Sequence, residues 1–127
     1  MQNYSERTGR PADFEVTYRF YTPEEGGRVS PPRQHVRWDF LYDGDDPLKD
    51  GISMVWPEFI SDAGDVLPEG EVPYEGQARM FVVNPERVEF HRAHIKTGVR
   101  GYFVEGPHRV AECVVYAVLG LGAPGSR

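Results

Sequence analysis

Two histidines and a glutamate near residue 90 give this chain its clearest potential for metal chemistry. His91 and His94 lie three positions apart, and Glu89 precedes them. This spacing brings two imidazoles together only on a turn of helix, and a zinc site needs further ligands that the sequence does not offer. We expect a surface loop with no metal and no cofactor, and keep an unrecognised metal-dependent enzyme as an alternative.

Four aspartates resemble the oxygen-rich part of a calcium-binding loop: Asp43, Asp45, Asp46 and Asp50. Pro47 interrupts them, and no glutamate stands at the closing position, so the segment departs from the helix–loop–helix calcium pattern. Runs of like charge are usually solvated. The pattern therefore favours an exposed hairpin tip.

Cys113 is the only cysteine in the sequence. Nucleophilic catalysis by a thiol needs a nearby base and a group that orients it, and His108 is the only near candidate in sequence. A position between Glu112 and Val114 is more typical of a small buried core residue. A single cysteine allows no intrachain disulfide, which predicts a reducing, cytoplasmic location.

Several aromatic residues could stack on the bases of single-stranded nucleic acid. Such a platform also needs a basic groove, and the middle of this chain is strongly acidic. We therefore expect these aromatics to form the core: Trp38, Tyr42, Trp56, Phe81 and Phe103.

The net charge of −6 is unevenly distributed. Residues 1–38 and 76–127 carry balances of +1 and +3, whereas residues 39–75 carry eleven acidic side chains against Lys49 alone, a balance of −10. An acidic segment of this kind repels a phosphate backbone and attracts a basic partner. The alternative interpretation is a set of solvated loops that keeps the protein soluble.

Apolar and polar residues alternate in short segments, which is the period of a half-buried strand. Residues 58–76 are predicted mainly as loop, and residues 88–98 as a short strand or a single helical turn. A hairpin turn at 105–109 joins the last two strands. The predicted strands are 14–21, 36–42, 51–56 (ended by Pro57), 77–83, 99–104 and 110–119.

Glycines and prolines separate these segments, and no helix of ten residues is predicted. After the first strand, Pro23–Gly27 breaks the pattern with two glycines that are free to take positive φ. Six or seven short strands indicate one all-β domain, an antiparallel sandwich or barrel over residues 1–127 with frayed ends at about 1–12 and 120–127. No apolar stretch is long enough to predict a membrane span.

Short motifs along the chain resemble the third, C-terminal domain of elongation factor Tu. Residues 24–28 carry the acidic pair and Gly-Gly-Arg that follow the first strand of that domain. Residues 36–40 resemble its Tyr-Arg-Pro-Gln-Phe, and residues 104–110 resemble its Arg-Glu-Gly-Gly-Arg-Thr-Val hairpin. Val114 and Val115 match the paired valines of its last strand. The resemblance runs from about Phe14 to Leu119, with extra residues around 43–70 and 86–97.

The resemblance implies a closed six-stranded antiparallel β-barrel. In the family, this barrel packs beside the second domain, contacts the T-arm of aminoacyl-tRNA and takes part in binding the exchange factor. The chain has neither a Gly-x-x-x-x-Gly-Lys-Ser/Thr phosphate loop nor the length of a GTPase domain. We therefore expect neither binding nor hydrolysis of GTP. The lack of a convincing catalytic constellation further predicts a protein that is not an enzyme.

The positions that contact the T-arm in the family have mostly lost their hydrogen-bond donors. The family's glutamine falls on Asp39, its lysine before a proline falls on Asn84, and its threonine falls near Leu48. The hairpin glycine is kept as Gly106. Because each phosphate contact needs a donor or a positive charge, tRNA binding is disfavoured.

Arg28 and Arg37 are kept from the family pattern, beside a glycine turn. In the family this region packs against the other domains. One interpretation is a salt bridge to Glu24, Glu25 or Asp39 that fixes the loop, because arginine often pairs with carboxylates. The other is a surface that binds a partner.

The leading hypothesis is a stand-alone, non-catalytic interaction module that binds a basic protein partner or a second copy of itself. An RNA- or tRNA-associated, translation-related protein is an alternative from another class. The candidate interaction surface consists of Arg28, Arg37, Asp39, Asp43, Asp45, Asp46, Asn84 and Gly106.

Overall fold

The alternation along the first strand shows how the sheet encloses its core. In a computed structural model that describes residues 12–46, 53–106 and 108–120, strand β1 runs over Phe14–Phe20. Phe14, Val16, Tyr18 and Phe20 are buried, whereas the residues between them are partly or fully exposed. One face of the strand therefore supplies the core, as its period of two predicts.

The remaining described elements are short and follow the apolar segments of the sequence. They are β2 (Trp38–Tyr42), β3 (Ser53–Ile60), β4 (Glu75–Val82), helix α1 (Val88–His94), β5 (Arg100–Glu105) and β6 (His108–Val118), with 3-10 turns at Pro23–Glu25 and Pro85–Arg87. No helix in this described part of the chain has the length and apolarity needed to cross a membrane.

The strands close on themselves in the order β1-β4-β3-β2-β5-β6, and β6 pairs with β1. Every pair is antiparallel. The chain is therefore a closed six-stranded antiparallel β-barrel, and this predicted fold class is confirmed. Closure pairs the backbone N–H and C=O groups of strands that would otherwise form a free sheet edge and could bind another chain.

Phenylalanine rings fill the interior of the barrel. The ring of Phe20 lies 6.1 Å from that of Phe59 and 5.7 Å from that of Phe103, and Phe14 meets Phe40 edge-on at 5.9 Å. Such tilted and edge-to-face pairs are the preferred aromatic geometries. An added Cβ at Gly101 would come within 2.3 Å of the Phe40 ring, so this strand position must lack a side chain.

The prediction that Pro57 ends the third strand is wrong, because β3 continues to Ile60. β2 pairs with β3 only as far as Val55, so Pro57 lies where β3 has a neighbouring strand on one side only. Further along, the side chain of Gln34 replaces the missing strand. Its Nε2 donates to the Phe59 carbonyl and its Oε1 accepts from the Phe59 N–H, both at 2.9 Å.

Other boundaries differ from the predictions by short segments. Residues 58–60 and 75–76, predicted as loop, belong to β3 and β4. β1 ends at Phe20 rather than at residue 21, and β2 begins at Trp38 rather than at residue 36. In the segment 88–98, the helical alternative is confirmed by α1.

Only one of the two glycines in the Pro23–Gly27 turn has a positive φ. Gly26 ends the 3-10 turn with a φ of 90°. Gly27 is needed for a different reason, because an added Cβ would lie 2.1 Å from the carbonyl oxygen of Tyr21. The turn therefore folds back directly onto the end of β1.

The two ends of the barrel, the α1 end and the rim end, are covered by different parts of the chain. At the α1 end, helix α1 links the end of β4 to the start of β5. At the rim end, long connections join β1 to β2 and β3 to β4. The predicted frayed termini lie outside the described residues except for Ala12 and Gly120, where the Gly120 N–H donates to the Ala12 carbonyl.

Candidate interaction surface

The predicted surface residues fall into two groups that the barrel separates. Arg28, Arg37, Asp39 and Gly106 lie near the start of β2 or the end of β5, towards the rim end. The others lie after β2 or after β4, at the α1 end: Asp43, Asp45, Asp46 and Asn84. The eight residues therefore do not form one continuous patch.

Arg28 is paired, although not with the partners that the sequence suggested. Its Nε lies 2.9 Å from Oε2 of Glu105, and its guanidinium lies over the Trp38 ring at 5.5 Å. The same carboxylate oxygen accepts from Nε1 of Trp38 at 2.9 Å. Glu25, one of the expected partners, pairs with Arg19 instead. Arg28 therefore fixes the loop against the β5–β6 turn, in which Gly106 has a φ of 61°.

Arg37 lies in a shallow groove beside β2. Its guanidinium lies 4.9 Å from the Trp56 ring and donates a hydrogen bond to Sδ of Met54 at 3.8 Å. Arg37 therefore contacts these side chains and does not form the expected salt bridge to Asp39. The groove has a volume of about 200 Å³ and is lined by Val36, Arg37, Trp38, Asp39, Met54, Val104 and Glu105. Because both cationic and acidic side chains line the groove, its charge favours neither a basic nor an acidic ligand.

The hairpin after β2 is less solvated than predicted. Asp43 is exposed and accepts a hydrogen bond from the Tyr102 hydroxyl at 2.9 Å. The Asp45 side chain is only 15% exposed, and its Oδ2 lies 3.6 Å from Nε2 of His94. Asp46 is exposed, whereas Leu48 and Asp50 lie outside the described residues. Across the α1 end, Asn84 accepts from the Glu86 N–H at 2.9 Å.

His91 and His94 lie on helix α1, and the expected surface loop is wrong for His91, which is fully buried. Nδ1 of His91 lies 2.7 Å from the Tyr42 hydroxyl. Burial, together with the charges of Arg87 and His94, lowers the pKa of His91 to about 4. Within the described residues, no three His, Cys, Asp or Glu side chains converge as metal ligands.

Cys113 is a buried core residue, as predicted. It lies on β6 opposite Tyr18 and Gly101, and burial raises the pKa of its thiol. His108, the only near base in sequence, contacts the Gly26 carbonyl instead. Of the aromatics assigned to the core, all are buried except Trp56, which is partly exposed beneath Arg37.

A different acidic surface lies at the rim end, on the connection from β3 to β4 and at the first residue of β4. The exposed carboxylates of this acidic rim are Asp62, Asp65, Glu69, Glu71 and Glu75. The sequence placed them in the acidic block 39–75, but nothing in their spacing distinguished them from the aspartates around residue 45. Only the path of the connection shows that they share one end of the barrel.

Backbone hydrogen bonds hold the first part of this connection in place. The Ser61 N–H donates to the Asp65 carbonyl at 2.8 Å, and Gly64 closes the turn with a φ of 88°. The Leu67 N–H then donates to the Phe59 carbonyl at 3.0 Å. The chain carrying Asp62 therefore folds back onto the end of β3.

His35 joins the middle of the rim to the barrel. Its Nδ1 lies 2.9 Å from Glu69, and its Nε2 lies 3.5 Å from Glu58, a carboxylate with no exposed surface. The backbone of His35 has a φ of 62°, which is uncommon for a residue with a side chain. This conformation places the imidazole between the two carboxylates.

A pocket opens beside the acidic rim, with a volume of about 340 Å³. Its apolar walls include Tyr18, Ile60, Leu67 and Pro73, and its lining also includes Asp62 and Glu75. The hydroxyl of Tyr18 donates to the Pro73 carbonyl at 2.9 Å, which fixes the position of the ring. We refer to this cavity as the rim pocket.

Comparisons with known protein families and with curated proteins found no match to this chain. The barrel has the architecture that the resemblance to the third domain of elongation factor Tu implies. Membership of that family stays a prediction.

Proposed function

We propose that the chain is a non-catalytic interaction module that binds a basic protein partner through its acidic rim. The observation that carries this proposal is the exposure of five carboxylates at one end of the barrel, four on the β3–β4 connection and Glu75 at the start of β4. Of these five, only Glu69 lies within ion-pair distance of a group that can carry positive charge, His35, among the described side chains. The rim therefore presents a concentrated negative potential to solvent.

The nearby arginines offset this potential only in part. Arg79 donates to the Gly64 carbonyl at 2.8 Å and Arg19 lies opposite Glu75 in the sheet, but both side chains form their ion pairs with carboxylates outside the rim. Arg19 pairs with Glu25 and Glu112, and Arg79 pairs with Glu15. Arg33 forms a backbone bridge with Glu71, without an ion pair between their side chains. A basic partner would supply the missing countercharges, which favours rapid and selective association.

The same charge distribution disfavours the other partners considered from the sequence. A phosphate backbone would be repelled by the rim, and Asp39 and Asn84 supply no cation elsewhere. A symmetric pair of barrels meeting through the rim would place like charges against each other. A basic protein surface is the partner that fits the rim.

The proposal is tested with a fluorescein-labelled peptide in which glycine alternates with five 2,4-diaminobutyrate residues. Each of these residues carries one positive charge on a short side chain. We expect fluorescence anisotropy to report binding that weakens about fivefold or more between roughly 50 and 300 mM NaCl. Glu71→Lys should weaken binding by a similar factor. Glu86→Lys, an equal charge change at the α1 end, should have little effect.

Two outcomes would contradict the proposal. The first is no binding of the peptide, or binding that Glu71→Lys and Glu86→Lys weaken equally. The second is salt-dependent binding of tRNA in place of the peptide, which would favour the nucleic-acid alternative. Circular dichroism of each variant confirms that the barrel is intact.

A further inference from the structure

We infer that the rim pocket is the binding site for one long cationic side chain, arginine or lysine, of the basic partner. This inference rests on the proposed function and adds a specific anchor to it. The pocket combines apolar walls with two carboxylates, and this is the chemistry of a side chain that has an aliphatic stem and a charged end.

The walls of the pocket match the stem of such a side chain. Tyr18, Ile60, Leu67 and Pro73 supply apolar surface, and the volume of about 340 Å³ lies at the small end of the ~300–1,000 Å³ typical of ligand pockets. Arginine and lysine bury their methylene groups against such surfaces while their charge reaches a polar partner. A short cationic side chain would leave these walls exposed to water.

The carboxylates of the pocket match the charged end. Asp62 and Glu75 both line it, and neither forms an ion pair within the described ranges of the chain. A guanidinium or ammonium group placed between them would form charge-assisted hydrogen bonds, which are stronger than those between neutral groups. The partner's cation would thus replace water at two carboxylates that are otherwise solvated.

Backbone hydrogen bonds hold the chain on two sides of the pocket. Asp62 lies in the turn closed by hydrogen bonds between Ser61 and Asp65. At the start of β4, the Phe20 N–H donates to the Tyr74 carbonyl at 2.7 Å, directly before Glu75. Little ordering of the backbone is therefore required on binding, which favours affinity.

The remaining rim carboxylates indicate that the cation belongs to a polypeptide rather than to a small free amine. Asp65, Glu69 and Glu71 extend the negative surface along the connection beyond the pocket. A free amine would contact the pocket alone, whereas a basic segment would place one side chain in the pocket and further cations along the rim.

The test uses three peptides of equal charge that differ only at the central residue. The central position carries arginine, lysine or 2,4-diaminobutyrate, and every other cation is 2,4-diaminobutyrate. We expect the arginine or the lysine peptide to bind about tenfold more tightly than the short-chain peptide, because only a long side chain reaches the carboxylates across the apolar walls.

A pair of matched double variants locates the effect. In Asp62→Asn/Glu75→Gln, we expect the three peptides to bind with equal affinity. In Asp65→Asn/Glu71→Gln, which removes equal charge outside the pocket, all three should bind more weakly while the preference for the long side chain persists. These near-isosteric changes at exposed positions preserve the fold, and thermal melts verify this.

The outcomes separate this inference from the proposed function. If the three peptides bind the unmodified protein with equal affinity, the pocket is not an anchor and the inference is overturned, although the rim still binds a basic partner. If Asp65→Asn/Glu71→Gln removes the preference as fully as Asp62→Asn/Glu75→Gln does, the inference is also overturned. If none of the peptides binds, the proposed function itself fails.

Discussion

The hydroxyl of Tyr42 and Nδ1 of His91 lie 2.7 Å apart beneath helix α1, and the imidazole is fully buried. Burial, with the charges of Arg87 and His94, lowers the pKa of His91 from 6.5 to about 4. The folded protein therefore holds this ring neutral at neutral pH, whereas the unfolded chain takes up a proton near pH 6.5. Because the unfolded state binds more protons in this window, stability is lost as the pH falls from 6.5 towards 4.

We expect His91→Asn, which has no titrating ring, to remove this part of the pH dependence. Relative to the variant, the unmodified protein should lose up to roughly 3 kcal/mol of unfolding free energy as the pH falls through this window. Urea denaturation at several pH values measures the difference. His108→Asn, at the opposite end of the barrel, serves as the control and should keep the dependence. Parallel profiles for the unmodified protein and His91→Asn would refute the buried, neutral ring.

Gln34 makes a measurable contribution to stability by replacing a strand partner. Its amide bonds to both backbone groups of Phe59 and also donates to the Leu67 carbonyl at 2.9 Å. Gln34→Ala leaves the Phe59 N–H and the Leu67 carbonyl without this partner, although the Phe59 carbonyl keeps the Leu67 N–H, and should cost roughly 2–4 kcal/mol. Gln77→Ala, on β4, should cost under about 1 kcal/mol. Equal effects of the two changes on denaturant midpoints would be inconsistent with this role.

Glu105 should matter more than the arginine with which it pairs. Its Oε2 accepts from the buried Trp38 indole as well as from Arg28. Glu105→Ala leaves the indole N–H without its acceptor and should cost about 1–2 kcal/mol. Arg28→Ala removes a partly exposed ion pair and the contact of the guanidinium with the Trp38 ring, and should cost under about 1 kcal/mol. Thermal melts of both variants test this order, and a larger loss for Arg28→Ala would contradict it.

Period-two alternation predicted most of the barrel because burial on one face of a strand is a local property of the sequence. The prediction failed at Pro57. Proline was expected to end the strand because it cannot donate a hydrogen bond to a neighbouring strand, but β3 has a neighbouring strand on only one side at this position. Proline is tolerated there because β2 has already ended, and the Gln34 side chain bonds to the backbone of β3 at Phe59. No local pattern reveals that a glutamine side chain takes the place of a strand.

The candidate surface was predicted only in part, because charge in a sequence does not show where the chain folds back. The aspartates around residue 45 looked solvated, yet Asp45 is largely buried beside His94. The rim carboxylates belong to the same acidic block, and their common position depends on the turn at Gly64 and on the contacts of His35. The rim pocket depends on β1, β3 and β4 together, so no single segment of the sequence contains it.

The most direct test of the acidic rim as the binding surface is a titration of the isotopically labelled protein with the arginine-centred peptide, followed by amide chemical shifts. We predict that the largest shifts fall on residues 60–76 and on Tyr18 and Arg19. Shifts concentrated on helix α1 or along the β2 groove, or no shifts at a peptide concentration far above that of the protein, would contradict the account.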